Sequence, residues 1–391
     1  MSNLPRIHIM KETKEHNLLP TTTTTPTTII ESIHKPIDPR NMDTTKPVDA
    51  AFTRFLPKIE LHAHLSGSIS RQCLHELWLQ KRAADPTFDL PDPWVVMPPG
   101  KVDYTLDTFF NTFGTFTYHL LTDLPSITYA TTSVLSDFHA DGIKYLELRT
   151  IPRPSPNFTQ EAYITTILST ITAFTDRHPD LTIRLILALD RGGHNPADAD
   201  TVVTLAIAHK PLVVGVDIAG NPSKGDMAIF GPALAKAKAA GLGVTVHFAE
   251  VRTPPKEGEL ETILAFRPDR LGHVIHVPEE LRGEIIRRKM GLELCMSCNV
   301  HARLFDGGFL EHHFREWWRV EECPVVLCTD DVGFFCSPVS NEYFLAAEHF
   351  NLTRADVVDI ARRAVRVIFG GEEEKKRLYR LLDEFEAGYR E

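Results

Sequence analysis

The chain has 391 residues, 43% hydrophobic and 24% charged, the make-up of a globular protein long enough to bury a full core. Lys+Arg of 42 against Asp+Glu of 52 gives a formal net charge of −10, which argues against a nucleic-acid binder working through a broad basic surface. Six cysteines are too few for a disulfide scaffold, and no apolar run approaches the roughly eighteen residues of a membrane span.

Residues 1–50 hold ten threonines, with Thr21–Thr25 in one run, and six prolines. So little apolar surface cannot offset the entropy of ordering, which predicts a disordered tail followed by one globular domain over 51–391. No apolar leader with a small-residue cleavage site opens the chain, and Glu12 and Glu15 argue against a transit peptide. The expectation is a cytoplasmic monomer.

Eight short apolar runs follow in order: Lys58–Leu65, Ile143–Thr150, Ile183–Asp190, Leu212–Gly220, Gly243–Glu250, Arg270–Val274, Gly291–Cys298 and Pro324–Asp331. Stretches such as Phe230–Ala240 and Thr353–Phe369 between or after them have helical spacing. This alternation predicts an α/β fold, a (β/α)₈ TIM-type barrel, with an open doubly wound sheet as the competing architecture. The long insertion at Ser70–Asp141 is expected to supply extra helices over the barrel mouth. The pair Cys295 and Cys298 reads as ordinary strand residues, since no second CxxC completes a zinc ribbon.

Carboxyl ends of barrel strands carry chemistry, and here they carry His62, His64, Arg149, Asp190, Asp217, Gly220, His247, Glu250, His273, Asp330 and Asp331. Glu60, His62 and His64 share one strand face. An isolated HxH is more often a pair of core histidines, but His247 and Asp330 at two other strand ends change the balance. Three neutral imidazoles and one carboxylate suit zinc with a water in the open position. Glu250, three residues after His247, falls just past the strand, where it can exchange a proton with a substrate. His273 is placed to orient or deprotonate the water.

The motifs HxH at 62–64, DIAG at 217–220, HFAE at 247–250, GH at 272–273 and TDD at 329–331 together resemble the adenosine/AMP deaminase family of metal-dependent hydrolases, the amidohydrolase type. ELRTIPR at 147–153, DRGG at 190–193, CMSCNV at 295–300, HHF at 312–314 and SNEYFLAAEHFNLT at 340–353 are similar to its adenosine deaminase-like branch, which acts on N6-methyl-AMP. The resemblance implies one zinc ion per chain, held by His62, His64, His247 and Asp330. It implies Glu250 as proton donor to purine N1, His273 beside the attacking hydroxide, Asp331 at N7 and the Gly220 backbone at N3. It also implies substrate contacts from His64, Ser66, Thr150, Ile151, Pro152, Arg153 and Asp190, and from His119 if a small gap is allowed.

The implied reaction is N6-methyl-AMP plus water to IMP and methylamine. The alternatives are an adenosine or AMP deaminase releasing ammonia, and a catalytically silent purine-nucleotide binder. Adenosine deaminases proper place an aspartate where Ser66 stands, and the methyl-AMP branch usually an asparagine. A carboxylate there would repel a 5′-phosphate by about 4 kcal/mol at ~4 Å and an effective dielectric near ~20. The Ser66 hydroxyl can donate to a phosphate oxygen, and Arg153 can supply a charged partner.

Overall fold

Eight parallel strands follow one another around the sheet in chain order: β1 (Lys58–His64), β2 (Ile143–Thr150), β3 (Thr182–Asp190), β4 (Val213–Ala219), β5 (Gly243–Phe248), β6 (Arg270–His273), β7 (Gly291–Leu294) and β8 (Val325–Leu327). They belong to a computed structural model that describes residues 46–388. The ring closes where β8 returns to β1: the His64 N–H donates to the Asp330 carbonyl at 3.1 Å, and Ala63 bridges Asp330. This is the expected (β/α)₈ barrel. Strands buried on both faces need near-continuous apolar sequence, which is why every run was visible.

The stretch read as a tail lies outside the described residues as far as residue 45. Its last residues pack on the barrel: Pro47 bridges Thr353, and Asp49 caps the helix Ala50–Phe55 while pairing with Arg354 at 2.8 Å. The insertion folds into helices at Arg71–Ala84, Pro93–Val96, Leu106–Leu120 and Leu124–Ala140. Capping boxes at Thr105 and Asp123 start the last two. No helix among the described residues is long and apolar enough to cross a membrane.

One run is corrected. Gly291–Cys298 reads as a single strand, but β7 stops at Leu294, and Met296–His301 is a helix. Met296, Ser297, Cys298 and Asn299 are all buried, so the segment shows no polar face. An apolar run of that kind does not distinguish a strand from a buried helical turn. Cys295 and Cys298 therefore sit at the start of this helix, and burial pushes both thiols well above their ordinary range.

Candidate active site

β1 delivers His62 and His64 to the upper end of the barrel, β5 delivers His247, and the turn after β8 delivers Asp330. One ligand atom from each lies within 4.8 Å of all the others. His64 Nε2 stands 3.1 Å from His247 Nε2 and 3.3 Å from Asp330 Oδ1, and His62 Nε2 stands 3.2 Å from His247 Nε2. Burial lowers His62 far below its ordinary range and His64 to about 3, so both rings are neutral and offer lone pairs.

The outer nitrogens explain why those lone pairs converge. His62 Nδ1 lies 2.6 Å from Glu293 Oε2, and His247 Nδ1 lies 3.2 Å from Asp217 Oδ2. A carboxylate behind each ring fixes the tautomer and turns Nε2 inward. Arg149 joins the two carboxylates, with Nη1 2.9 Å from Asp217 and Nη2 2.7 Å from Glu293. Arg270 donates to Glu293 and Glu147, both at 2.6 Å. All five of these charged groups are fully buried, and three carboxylates against two guanidiniums leave one negative charge under the histidines. Asp330 adds another carboxylate above. This donor set and charge excess fit a divalent cation.

Arg149→Met leaves two buried carboxylates without their shared partner. The expected cost is roughly 3–5 kcal/mol, the range for breaking a buried ion pair, read as a lowered denaturation midpoint. An unchanged midpoint would show that Asp217 and Glu293 do not depend on Arg149.

Above the cluster opens a cavity of about 510 Å³. Glu250, His273, Asp331, Ser66, Thr150 and Ile151 line it, as do Arg153, Asp190 and Gly220. Glu250 follows the end of β5 through Ala249, whose φ is 53°, so it lies past the strand as its spacing predicts. Burial, and then the carboxylates of Asp330 and Glu250, push the Asp331 carboxyl well above the usual range. Gly67 permits its position, since a Cβ there would fall 1.5 Å from Asp331 Oδ1. Gly220 has φ 104°, and a Cβ there would meet Asp190 Oδ1 at 2.8 Å.

Two expected contacts lie elsewhere. Pro152 is buried and does not line the cavity, its carbonyl accepting from Gln160 Nε2 at 3.0 Å. His119 is exposed, with Nδ1 2.7 Å from the Thr115 carbonyl. Helix Leu106–Leu120 turns Thr117 and Tyr118 to the cavity instead. Successive helical residues turn by about 100°, so the face that brings Thr117 and Tyr118 to the cavity leaves His119 exposed. Tyr118 lies under the Arg153 guanidinium, 4.1 Å from ring centroid to Cζ. Phe109, Phe110 and Phe113 of the same helix make an apolar wall, and Lys224 reaches the opposite rim.

The family model described as Adenosine deaminase matches residues 57–385. The chain belongs to the adenosine deaminase family. Xenopus laevis N6-Methyl-AMP deaminase-L is 36% identical to this family member over 335 residues, covering 84% of this chain and 93% of its own. The crystal structure of Arabidopsis N6-mAMP deaminase matches with a TM-score of 0.78 at 31% identity, over 85% of this chain and 99% of that one. Arabidopsis ADAL complexed with IMP matches with a TM-score of 0.79 at 30% identity, over 86% of this chain and 99% of that one. As a member of this family the protein is a deaminase of the hydrolase class.

Proposed function

We propose that the protein hydrolyses N6-methyl-AMP to IMP and methylamine with one zinc ion held by His62, His64, His247 and Asp330. The observation that carries this reading is the convergence of those four ligand atoms beneath a cavity walled by Glu250, His273 and Asp331. The relatives named N6-methyl-AMP deaminase and the neighbour holding IMP support the choice of substrate. When bound, zinc would supply Lewis acidity that lowers the pKa of water to about 7.

The chain's own residues account for the remaining steps. Glu250 donates a proton to purine N1, which withdraws electrons from C6 and opens it to water. Asp331, kept protonated by burial, donates to N7, and the side-chain-free Gly220 lets its backbone approach N3. His273 holds the attacking water at C6. The water oxygen adds at C6; one of its protons returns to Glu250 and the other passes to the amine nitrogen, so that the C6–N bond breaks with methylamine leaving and the oxygen remaining as the C6 carbonyl. The Phe109, Phe110 and Phe113 wall limits bulk water around the base.

Ser66 and Arg153 receive the 5′-phosphate in this reading, and Asp190, 3.5 Å from Arg153, orients the guanidinium. The test is kcat/KM for N6-methyl-AMP over N6-methyladenosine. Arg153→Ala is expected to lower that ratio roughly 10- to 100-fold, the worth of a hydrogen bond to a charged group. Ser66→Asp should lower it further through like-charge repulsion. A wild-type ratio near one, unmoved by either change, leaves a nucleoside deaminase. Faster turnover of AMP than of N6-methyl-AMP would make ammonia the leaving group, and no turnover of any of these would leave a silent binder.

A further inference from the structure

Between the helices Arg354–Ala364 and Glu372–Ala387 the chain crosses the floor of the barrel, at the end opposite the active site. There Phe369 sets its ring among the strand starts. A Cβ on Gly243 would fall 2.5 Å from that ring and one on Gly215 2.9 Å, so β5 and β4 leave it a seat. Val367 is seated alike, 2.9 Å from where a Cβ on Gly291 of β7 would stand. Beyond the half-buried ring lies a hollow shared with Lys238, Asp269 and the exposed Arg366. The ring therefore separates the outside from the buried charges under the histidines. We infer that Phe369 is a positioning residue for the metal centre, which fixes Arg270 and, through Arg270 and Glu293, the direction of His62.

The path runs through three side chains. The Arg270 guanidinium lies over the Phe369 ring, with Cζ 3.7 Å from its centroid. Arg270 Nη1 donates to the Val367 carbonyl at 2.8 Å. The Phe369 N–H donates to Glu147 Oε1 at 2.5 Å, and Glu147 Oε2 accepts from Arg270 Nη2 at 2.6 Å. These contacts aim Arg270 Nε at Glu293 Oε1, 2.6 Å away, while Glu293 Oε2 lies 2.6 Å from His62 Nδ1. A guanidinium is a rigid fork, so a turn at one edge moves every donor.

The aromatic face matters beyond its bulk. A desolvated cation is attracted by the ring quadrupole, and an aliphatic side chain of similar reach offers no such attraction. The ring also keeps water from Arg270, where it would compete for the donors and weaken the pull on Glu293 by raising the local dielectric. Arg149 holds Glu293 at Oε2; at Oε1 the charged donor is Arg270, beside the Thr245 hydroxyl at 2.9 Å. A loosened Arg270 frees that end of the carboxylate to swing. His62 then loses the fixed partner that turns its Nε2 toward the other ligands.

This inference rests on the four-ligand centre of the proposed function, and its test reads the metal instead of turnover. Phe369→Leu keeps an apolar plug and changes no charge. The measurements on the full chain are zinc affinity, by competition with a chromophoric chelator, and the ligand-field absorption bands of the cobalt(II)-substituted protein. Phe369→Leu is expected to weaken zinc binding roughly 10- to 100-fold, the usual cost of disturbing a group behind a metal ligand, and to shift the cobalt bands. Phe369→Tyr, which keeps the aromatic face, should retain wild-type affinity and bands. A lowered denaturation midpoint in Phe369→Leu with affinity and bands unmoved would make the ring a floor plug and overturn the inference. Should Phe369→Leu fail to fold, Gly243→Ala, whose methyl takes the seat of the ring, is held to the same expectation. A protein whose zinc binding answers to Phe369→Leu but which deaminates no purine keeps the inference and sinks the proposed function. One that deaminates N6-methyl-AMP while its zinc binding ignores the change does the reverse.

Discussion

Glu250→Gln is expected to lower kcat by roughly 10²–10⁴-fold, the usual worth of a general acid–base group, with zinc content and nucleotide binding retained. The substitution keeps size and hydrogen-bonding capacity but removes the proton that the proposed reaction delivers to purine N1. Glu250 lines the cavity without belonging to the four-ligand cluster, so the cluster has no reason to change. Steady-state kinetics beside elemental analysis check both halves. Turnover within a few-fold of wild type would assign the proton to another group.

His247→Ala should purify folded, metal-poor and inactive. The ring supplies one of the four converging ligand atoms, and its loss leaves three that no longer surround a cation. The fold should survive, because Asp217 behind the ring keeps its Arg149 partner at 2.9 Å. Circular dichroism with zinc analysis separates the outcomes. Full zinc occupancy in this variant would remove His247 from the site.

The barrel was legible because parallel strands covered on both faces must be apolar along their length, and all eight runs contain a strand. Polar residues fall toward one end of seven of the eight runs, and the barrel brings His62, His64, His247 and Asp330 from those ends together. What escaped has a physical reason in each case. Glu293 orients His62 across 231 positions of sequence, a separation that leaves no local trace. Glu147 and Arg270 were equally hidden, although a charged residue inside an otherwise buried strand is itself a signal of a buried partner. The Gly291–Cys298 run outlasts its strand because a buried helical turn, here 296–299 of the helix Met296–His301, presents no solvent-facing polar side. The expectation for His119 rests on a small gap within the helix Leu106–Leu120, and a shift of one or two positions on a helix changes the face a residue presents. Tyr118 and the phenylalanines beside it could have been found from the helical spacing of Phe109, Phe113 and Phe116 over a mouth already expected there.

The joint between the last strand and the first has a consequence for how this protein would fail. His64 and Asp330 meet twice, through a backbone hydrogen bond and through side chains 3.3 Å apart. A cation seated between those side chains is therefore a clasp on the ring as well as a reagent. A ligand that binds only the closed form adds its binding free energy to that closure. Chelation should accordingly be felt first as a parting of one seam, with the other seven strand pairings holding the sheet as an opened band. Loss of catalysis and onset of unravelling would begin at the same two residues.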